Sequence, residues 1–314
     1  MRTPREHPIG PWLVALGAGL WGTESAWRIP LNKVFSANVL VFWEHVILVV
    51  CALPLVLPRL RELRHVSRRT IGWLVFSGVA GSAVGAVLFT RALATGNPST
   101  MNVVLNIQPV LSTTAACLLF RDRLARGFFP WAALAIVAGM PLVGVTLWSD
   151  RSIDAGTGYA LACALAWGLS TVAGRAIMVE MSLLLASGLR VIIGLVSMAF
   201  VLLGTGELDA AHLWPAATAG AAPGKTIVEL VLLATLSGGI PLVIYFKGLE
   251  LTRASTAGYF EMMQTLVAVS ITWIGFGAAL TWWQVVAAVV LVGAVAMVQR
   301  AQATTALPPA PTAG

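Results

Sequence analysis

Two charged residues of opposite sign lie inside long apolar segments of this sequence. Glu44 is about eight residues into the apolar segment 37–57, and Arg190 is about nine residues into the segment 182–204. At a rise of about 1.5 Å per helical residue, both side chains would lie near the middle of a bilayer. A charge at that depth is costly unless it is paired or hydrated. Together the two charges could hold a zwitterion or a carboxylate in a central cavity. The alternative is a structural salt bridge that locks two parts of the molecule together.

Further polar side chains in the apolar segments share helix faces. Glu261 and Gln264 are three residues apart, Asn102 and Asn106 are four apart, and Gln108 lies close to the second pair. Residues three or four apart are neighbours on the surface of a helix. We expect these faces to line a path for a solute. The alternative is hydrogen bonding between helices, which holds many membrane proteins together.

The other ionisable residues give candidates for proton transfer and one structural pair. His45 follows Glu44 and therefore points about 100° away from it on a helix. Because histidine titrates near neutral pH, we consider Glu44, His45 and Glu261 for proton coupling, with packing as the alternative role of His45. Glu24 and Arg28 are spaced i,i+4. We interpret them as a local ion pair at a water boundary, with a structural role.

The composition indicates that lipid, not water, surrounds most of the protein. Of its 314 residues, 58% are hydrophobic and 11% are charged, whereas soluble domains have about 25% charged residues. The net charge is +7, and most Lys and Arg residues fall in loops on the same side as the N-terminus. That asymmetry predicts cytoplasmic N- and C-termini and explains the charge without a nucleic-acid partner.

The apolar segments predict an all-α integral membrane protein with ten transmembrane helices. A span needs about 20 apolar residues. The segments that meet this test are 10–29, 37–57, 71–94, 99–120, 128–148, 157–178, 182–204, 226–249, 255–278 and 281–299. The tail 301–314 is rich in Ala, Pro and Thr, and we expect it to be disordered.

An internal repeat divides the chain into halves at 1–150 and 151–300. At an offset of 146 residues, Trp21 aligns with Trp167 and Glu44 with Arg190; at an offset of 156, Gln108 aligns with Gln264. Five spans per half is an odd number, so the two five-helix repeats must be inverted relative to each other. Trp21, Trp167 and Tyr245 are then expected to shape a cavity between the halves. Weak helix at matched positions predicts hinges at Gly81, Gly85, Gly238, Gly239 and Pro241.

The paired pattern resembles the drug/metabolite transporter superfamily, specifically its ten-helix EamA-type members. The resemblance covers residues 10–300 and rests on Trp-Gly in the first span of each half and on the segments 91–109 and 247–265. It implies transport of amino acids, other metabolites or drugs. We therefore expect a secondary transporter, and specifically an exporter, of a small polar solute such as an amino acid. Alternating access between the two repeats would move the solute across a bacterial inner membrane.

Two other functions remain open at this point. A flippase for a lipid-linked sugar or amine would use a side-open groove and a phosphate-binding cation such as Arg190. A membrane-embedded enzyme would need clustered acidic or histidine side chains, but the four His residues are scattered, and the three Cys residues form no CxxC pair. We expect no catalytic residue, no metal site and no cofactor. The expected partners are the solute and the bilayer, with the protein a monomer or a homodimer.

Overall fold

The computed structural model describes residues 8–120, 127–139, 154–215, 222–251, 260 and 263–305. All regular secondary structure within these residues is helical. The α-helices of the first half are α1 (Gly10–Gly22), α2 (Glu24–Leu31), α3 (Ala37–Val56), α4 (Arg68–Ser77), α5 (Gly85–Thr95), α6 (Pro98–Val104), α7 (Gln108–Phe120) and α8 (Phe128–Gly139). Those of the second half are α9 (Ala155–Ile177), α10 (Leu183–Thr205), α11 (Ala210–Leu213), α12 (Pro223–Ala234), α13 (Ile240–Glu250), α14 (Met263–Ser270) and α15 (Trp282–Thr305).

Several helices begin at a side chain that accepts a hydrogen bond from the first turn. The Ser36 hydroxyl accepts from the backbone N–H of Val39 at the start of α3. The Asp154 carboxylate accepts from the N–H of Thr157 at the start of α9, at 2.7 Å. Such caps satisfy backbone donors that have no partner within the helix. They explain why these apolar segments start where they do.

Many of the helical segments are suited to a membrane by length and composition. Within the described part of the chain, five runs are long and apolar enough to cross a bilayer, and three shorter apolar helices accompany them. The five are Ala37–His65, Arg68–Thr95, Pro98–Leu119, Leu183–Thr205 and Pro223–Tyr245; the shorter ones are Phe128–Ala138, Met263–Gly275 and Trp282–Val298. Large apolar side chains on their outer faces are exposed, as lipid contact requires. The described helices overlap every segment proposed as a span, and the number of crossings stays a prediction.

The packing of helices has a two-fold pattern. Helix α1 packs against α13 and α14, and α9 packs against α5 and α7. At the offsets of the internal repeat, α1 corresponds to α9, α13 to α5 and α14 to α7. Helix α3 also packs against its counterpart α10, and α8 against its counterpart α15. Equivalent helices therefore make equivalent contacts in the two halves.

Of the three π-helical segments in the described residues, Ile271–Gly275 follows α14, and the other two interrupt helices at repeat-equivalent positions. Gly78–Val84 joins α4 to α5, and Thr235–Gly239 joins α12 to α13. The offset of 156 residues places one on the other. All five predicted hinge residues lie in these segments or within two residues of their ends: Gly81, Gly85, Gly238, Gly239 and Pro241. A π-helical turn is wider than an α-helical turn and leaves backbone groups to be satisfied by other partners.

Candidate functional site

Two adjoining cavities lie between the halves. One has a volume of about 180 Å³ and the other of about 610 Å³. They share the side chains of Trp21, Glu24, Gln108, Trp167 and Gln264, which stand at their junction. The smaller cavity extends to Asn102 and Asn106, and the larger to Glu44, His45, Arg190 and Tyr245. Nine of the ten residues predicted to bind a solute thus line this central space, and the tenth, Glu261, lies outside the described residues.

Two aromatic pairs flank the central space. The rings of Trp21 and Tyr245 have centroids 4.9 Å apart, and those of Trp167 and Phe89 have centroids 5.4 Å apart. Phe89 and Tyr245 differ by the repeat offset of 156, as Trp21 and Trp167 differ by the offset of 146. Phe89 was not among the predicted residues. The offset from Tyr245 could have identified it.

The amide side chains differ in how they are held. Asn102 is buried and donates to the Ser25 hydroxyl at 3.1 Å and to the Pro98 carbonyl. Asn106 accepts from the hydroxyl of Thr265 at 2.8 Å, which joins the fourth and ninth predicted spans. These contacts fit the alternative of hydrogen bonding between helices. Gln108 makes one long contact, 3.4 Å to the Thr171 hydroxyl, so it and Gln264 present their amides to the cavity more freely.

Arg28 is the centre of a buried ion cluster, contrary to the expectation from the sequence. Arg28 is fully buried, so a pair at a water boundary is wrong. Its guanidinium donates to the carboxylate of Glu24, to Glu44 at 2.8 Å and to the hydroxyl of Thr90 at 2.7 Å. The guanidinium also lies over the ring of Phe89, 5.7 Å from its centroid. Arg28 therefore ties together α2, α3 and α5 and shares its charge between two carboxylates.

Arg190 is not the partner of Glu44. Within the part of the chain that the structure describes, no acidic side chain forms an ion pair with it. Its Nε atom is buried without a hydrogen-bond acceptor. The structural salt bridge considered as the alternative is therefore not formed, and both side chains face the larger cavity. Glu44 is paired with Arg28, and Arg190 presents an unpaired charge to the cavity.

His45 has partners for both of its ring nitrogens. Nδ1 lies 2.8 Å from the carbonyl of Val41, and Nε2 lies 2.8 Å from the hydroxyl of Ser82. Because a carbonyl can only accept, Nδ1 carries the proton, and in the neutral ring Nε2 accepts from Ser82. The imidazole is thus satisfied without a charge. This arrangement fits the packing role given above as an alternative.

The first π-helical segment is bound by the sixth predicted span. Trp167 donates its indole N–H to the carbonyl of Gly81 at 2.9 Å, and Ser170 contacts the hydroxyl of Ser77 at 2.8 Å. In the second half, the equivalent segment is contacted by Thr23, whose hydroxyl lies 2.8 Å from that of Ser237. The segments that contain the predicted hinges therefore contact the helices that carry the cavity tryptophans.

A third cavity of about 420 Å³ adjoins the larger one on the side of α3, α10 and α13. Its walls are mostly apolar, and it shares Leu48, Ser82, Ser187, Arg190 and Leu242 with the larger cavity. Exposed side chains such as Leu55 and Val243 line its outer part. This groove reaches from the central space to the apolar outer surface of the bundle.

Carboxylates at the ends of helices tie the two halves together outside the cavity. Glu180 accepts from the backbone N–H of Ser67 at 2.6 Å and from its hydroxyl at 3.0 Å. Glu62 accepts in the same way from the N–H and hydroxyl of Ser182, both at 2.9 Å. Hydrogen bonding from the Ser67 backbone holds the pKa of Glu180 below its ordinary value. Each half thus caps the start of a helix in the other half.

Comparisons with known proteins agree with this architecture. The EamA-like transporter family matches residues 8–145 and 155–300, one repeat in each half. The riboflavin transporter ImpX of Fusobacterium nucleatum subsp. nucleatum is 24% identical over 302 residues, covering 91% of this chain and 96% of ImpX. The protein in one solved crystal structure is 17% identical in sequence and superposes with a TM-score of 0.59. The match covers 93% of this chain and 96% of that protein's chain, which shows a shared fold.

Proposed function

The chain belongs to the EamA-like transporter family, and we propose that it moves its solute through the central cavity by alternating access between two inverted repeats. The observation that carries this proposal is the lining of the cavity. Two repeat-equivalent pairs stand at the junction of the two central cavities. They are Trp21 with Trp167 and Gln108 with Gln264. A site built from matched residues of both halves can be exposed to either side when the halves exchange conformations.

The equivalent helix contacts support ten crossings in two inverted halves. Five spans per half require opposite orientations, and the pairing of α1 with α13 and α14 repeats in that of α9 with α5 and α7. The π-helical segments at Gly78–Val84 and Thr235–Gly239 are the proposed hinges. We place the protein in a bacterial inner membrane with both termini in the cytoplasm, as a monomer or a homodimer.

The solute we propose is a small polar metabolite with a planar ring, exported from the cell. Aromatic side chains favour flat rings, which they can stack against, and two aromatic pairs border the cavity. Aromatic amino acids belong to this class. So do flavins, which the name of the relative suggests. An amino acid that binds through Glu44 is less favoured than the sequence implied, because Arg28 already occupies that carboxylate.

Transport by the full-length protein in proteoliposomes tests this proposal. Labelled phenylalanine, tryptophan and riboflavin are loaded, and their release is followed with and without a proton gradient. The double variant Gln108→Ala/Gln264→Ala should lose release of the transported solute, whereas Gln284→Ala, near the start of α15 and outside the cavity, should retain it. Equal release by both variants would place the path elsewhere.

A flippase for a lipid-linked sugar or amine is the second candidate, because the apolar groove beside Arg190 gives it structural support. The groove joins the central space to the outer surface of the bundle, as entry of a lipid requires. The same proteoliposomes separate the two functions. Movement of a fluorescent phospholipid between leaflets would favour the flippase, and release of a soluble solute without lipid movement would favour the transporter.

A further inference from the structure

We infer that Arg190 binds a carboxylate or phosphate group of the transported solute, at a place where the first half of the protein holds its own carboxylates. This inference rests on the proposed function and adds the charge of the solute to it. Its basis is a difference between two otherwise equivalent parts of the repeat.

In the first half, a buried cluster neutralises its arginine internally. Arg28 forms ion pairs with two carboxylates, that of Glu24 on its own helix and that of Glu44 on the next predicted span. The cluster carries one positive and two negative charges. It has no free cation to offer a solute.

In the second half, the equivalent positions lack both carboxylates. At the offset of 146 residues, Glu24 corresponds to Ser170, Arg28 to Gly174 and Glu44 to Arg190. An arginine is therefore present on the neighbouring helix, but a hydroxyl and the arginine itself stand where the first half has its two carboxylates, and a glycine stands where the first half has its arginine. All three of these residues line the larger cavity.

The space around Arg190 fits an added anion. A Cβ atom at Gly174 would meet no other atom within 4 Å, so the place that the Arg28 side chain takes in the first half is open in the second. At Gly81 a Cβ atom would lie 3.1 Å from Nη2 of Arg190 and 2.1 Å from Oγ of Ser170. A side chain at Gly81 would clash, so the guanidinium and the Ser170 hydroxyl pack closely against this glycine and lie side by side on the wall of the larger cavity. Ser170 is engaged with Ser77, which fixes its position.

The unpaired guanidinium of Arg190 also favours an anion beside it, on the opposite half from the net negative cluster of Glu24, Arg28 and Glu44. Arg190 has a buried Nε without an acceptor, and no described acidic side chain pairs with it. A guanidinium binds a carboxylate or phosphate through two parallel hydrogen bonds, which are among the stronger polar contacts in proteins. A bound anion would supply in the second half what Glu24 and Glu44 supply in the first. Trp167, which lines the same cavity, would contact the ring of the solute.

Calorimetric titration of the purified full-length protein with matched ligands tests this inference. One pair is flavin mononucleotide and riboflavin, which differ by a phosphate; the other is phenylalanine and phenylalaninamide, which differ by a carboxylate. The wild-type protein should bind the anionic member of at least one pair about tenfold more tightly. Arg190→Gln should bring that ratio close to one, and Arg190→Lys should retain part of it. Arg69→Gln, at an exposed position on α4, should leave the ratio unchanged.

A second pair of variants tests the vacant position itself. Gly174→Glu should lower the preference for the anionic ligand by supplying an internal carboxylate, whereas Gly174→Gln, of equal size, should not. Equal binding of charged and uncharged ligands by the wild-type protein, or an unchanged ratio in Arg190→Gln, would overturn the anion site while leaving the proposed transport intact. Absence of binding for all four ligands would count against the proposed solute classes and the anion site together.

Discussion

Trp167 donates its indole N–H to the backbone carbonyl of Gly81 at 2.9 Å. This contact joins a cavity-lining aromatic residue to a π-helical segment of the other half. The wider turn of that segment changes the normal pattern of backbone pairing, and the indole gives the carbonyl a partner. A change in the position of the Trp167 ring is therefore mechanically connected to a proposed hinge.

Trp167→Phe should destabilise the protein by about 1–3 kcal/mol, because the Gly81 carbonyl would lose its side-chain partner in a buried place. Detergent-solubilised protein can be unfolded with increasing SDS and followed by circular dichroism. Trp282→Phe is the control, since Trp282 is 79% exposed at the start of α15. Similar stability losses in the two variants would contradict a specific role for the indole contact.

Arg28→Met should destabilise the protein more strongly than Trp167→Phe, by about 3–5 kcal/mol, because it leaves two carboxylates without their shared cation. Arg69→Met removes an exposed arginine and should change the stability little. The same SDS titration measures both. The triple variant Arg28→Met/Glu24→Gln/Glu44→Gln should be more stable than Arg28→Met alone, because it leaves no charge unpaired. If the triple variant is no more stable than Arg28→Met, loss of packing rather than of charge pairing is the cause.

The helical architecture and most cavity residues were predictable because charge, amides and aromatic residues recur at constant offsets in the two halves. The partner of Glu44 was not predictable by the same reasoning. Counting residues from a span boundary placed Arg28 at the membrane edge. The break between α1 and α2 at Thr23, and the packing of α2 against α5, instead bury its guanidinium. Phe89 was missed because the repeat was traced through polar positions and the offset of 156 residues was not applied to Tyr245.

The contact between Glu180 and Ser67 should depend on pH. Hydrogen bonds from Ser67 favour the charged carboxylate, so the pKa of Glu180 is lowered. The contact is therefore present at neutral pH and is lost as the pH falls through that lowered value. Hydrogen exchange of the segment around Ser67, measured from pH 7 down to about pH 2.5 and corrected for the intrinsic rate, should show loss of protection at the acidic end, below the ordinary carboxyl pKa. In Glu180→Gln the corrected protection should be low and nearly independent of pH; a profile like that of the wild type would contradict the assignment.

Substitutions of glycine can separate movement from packing at the two proposed hinges. At Gly85 a Cβ atom would lie 2.4 Å from Nε1 of Trp167, whereas at Gly239 the nearest atom, from Leu48, would be 3.8 Å away. Gly85→Ala should therefore cost about 1–3 kcal/mol through overpacking and also slow transport. Gly239→Ala has room for its methyl group, and alanine favours regular α-helix over glycine by up to about 1 kcal/mol.

If Thr235–Gly239 is a hinge, Gly239→Ala should slow transport while stability is retained or increased. Gly72→Ala, on α4 with no atom within 4 Å of the added carbon, is the control and should leave transport unchanged. Transport rates in proteoliposomes and SDS unfolding of the same preparations measure both quantities. Normal transport by Gly239→Ala would mean that the second π-helical segment does not bend during the cycle.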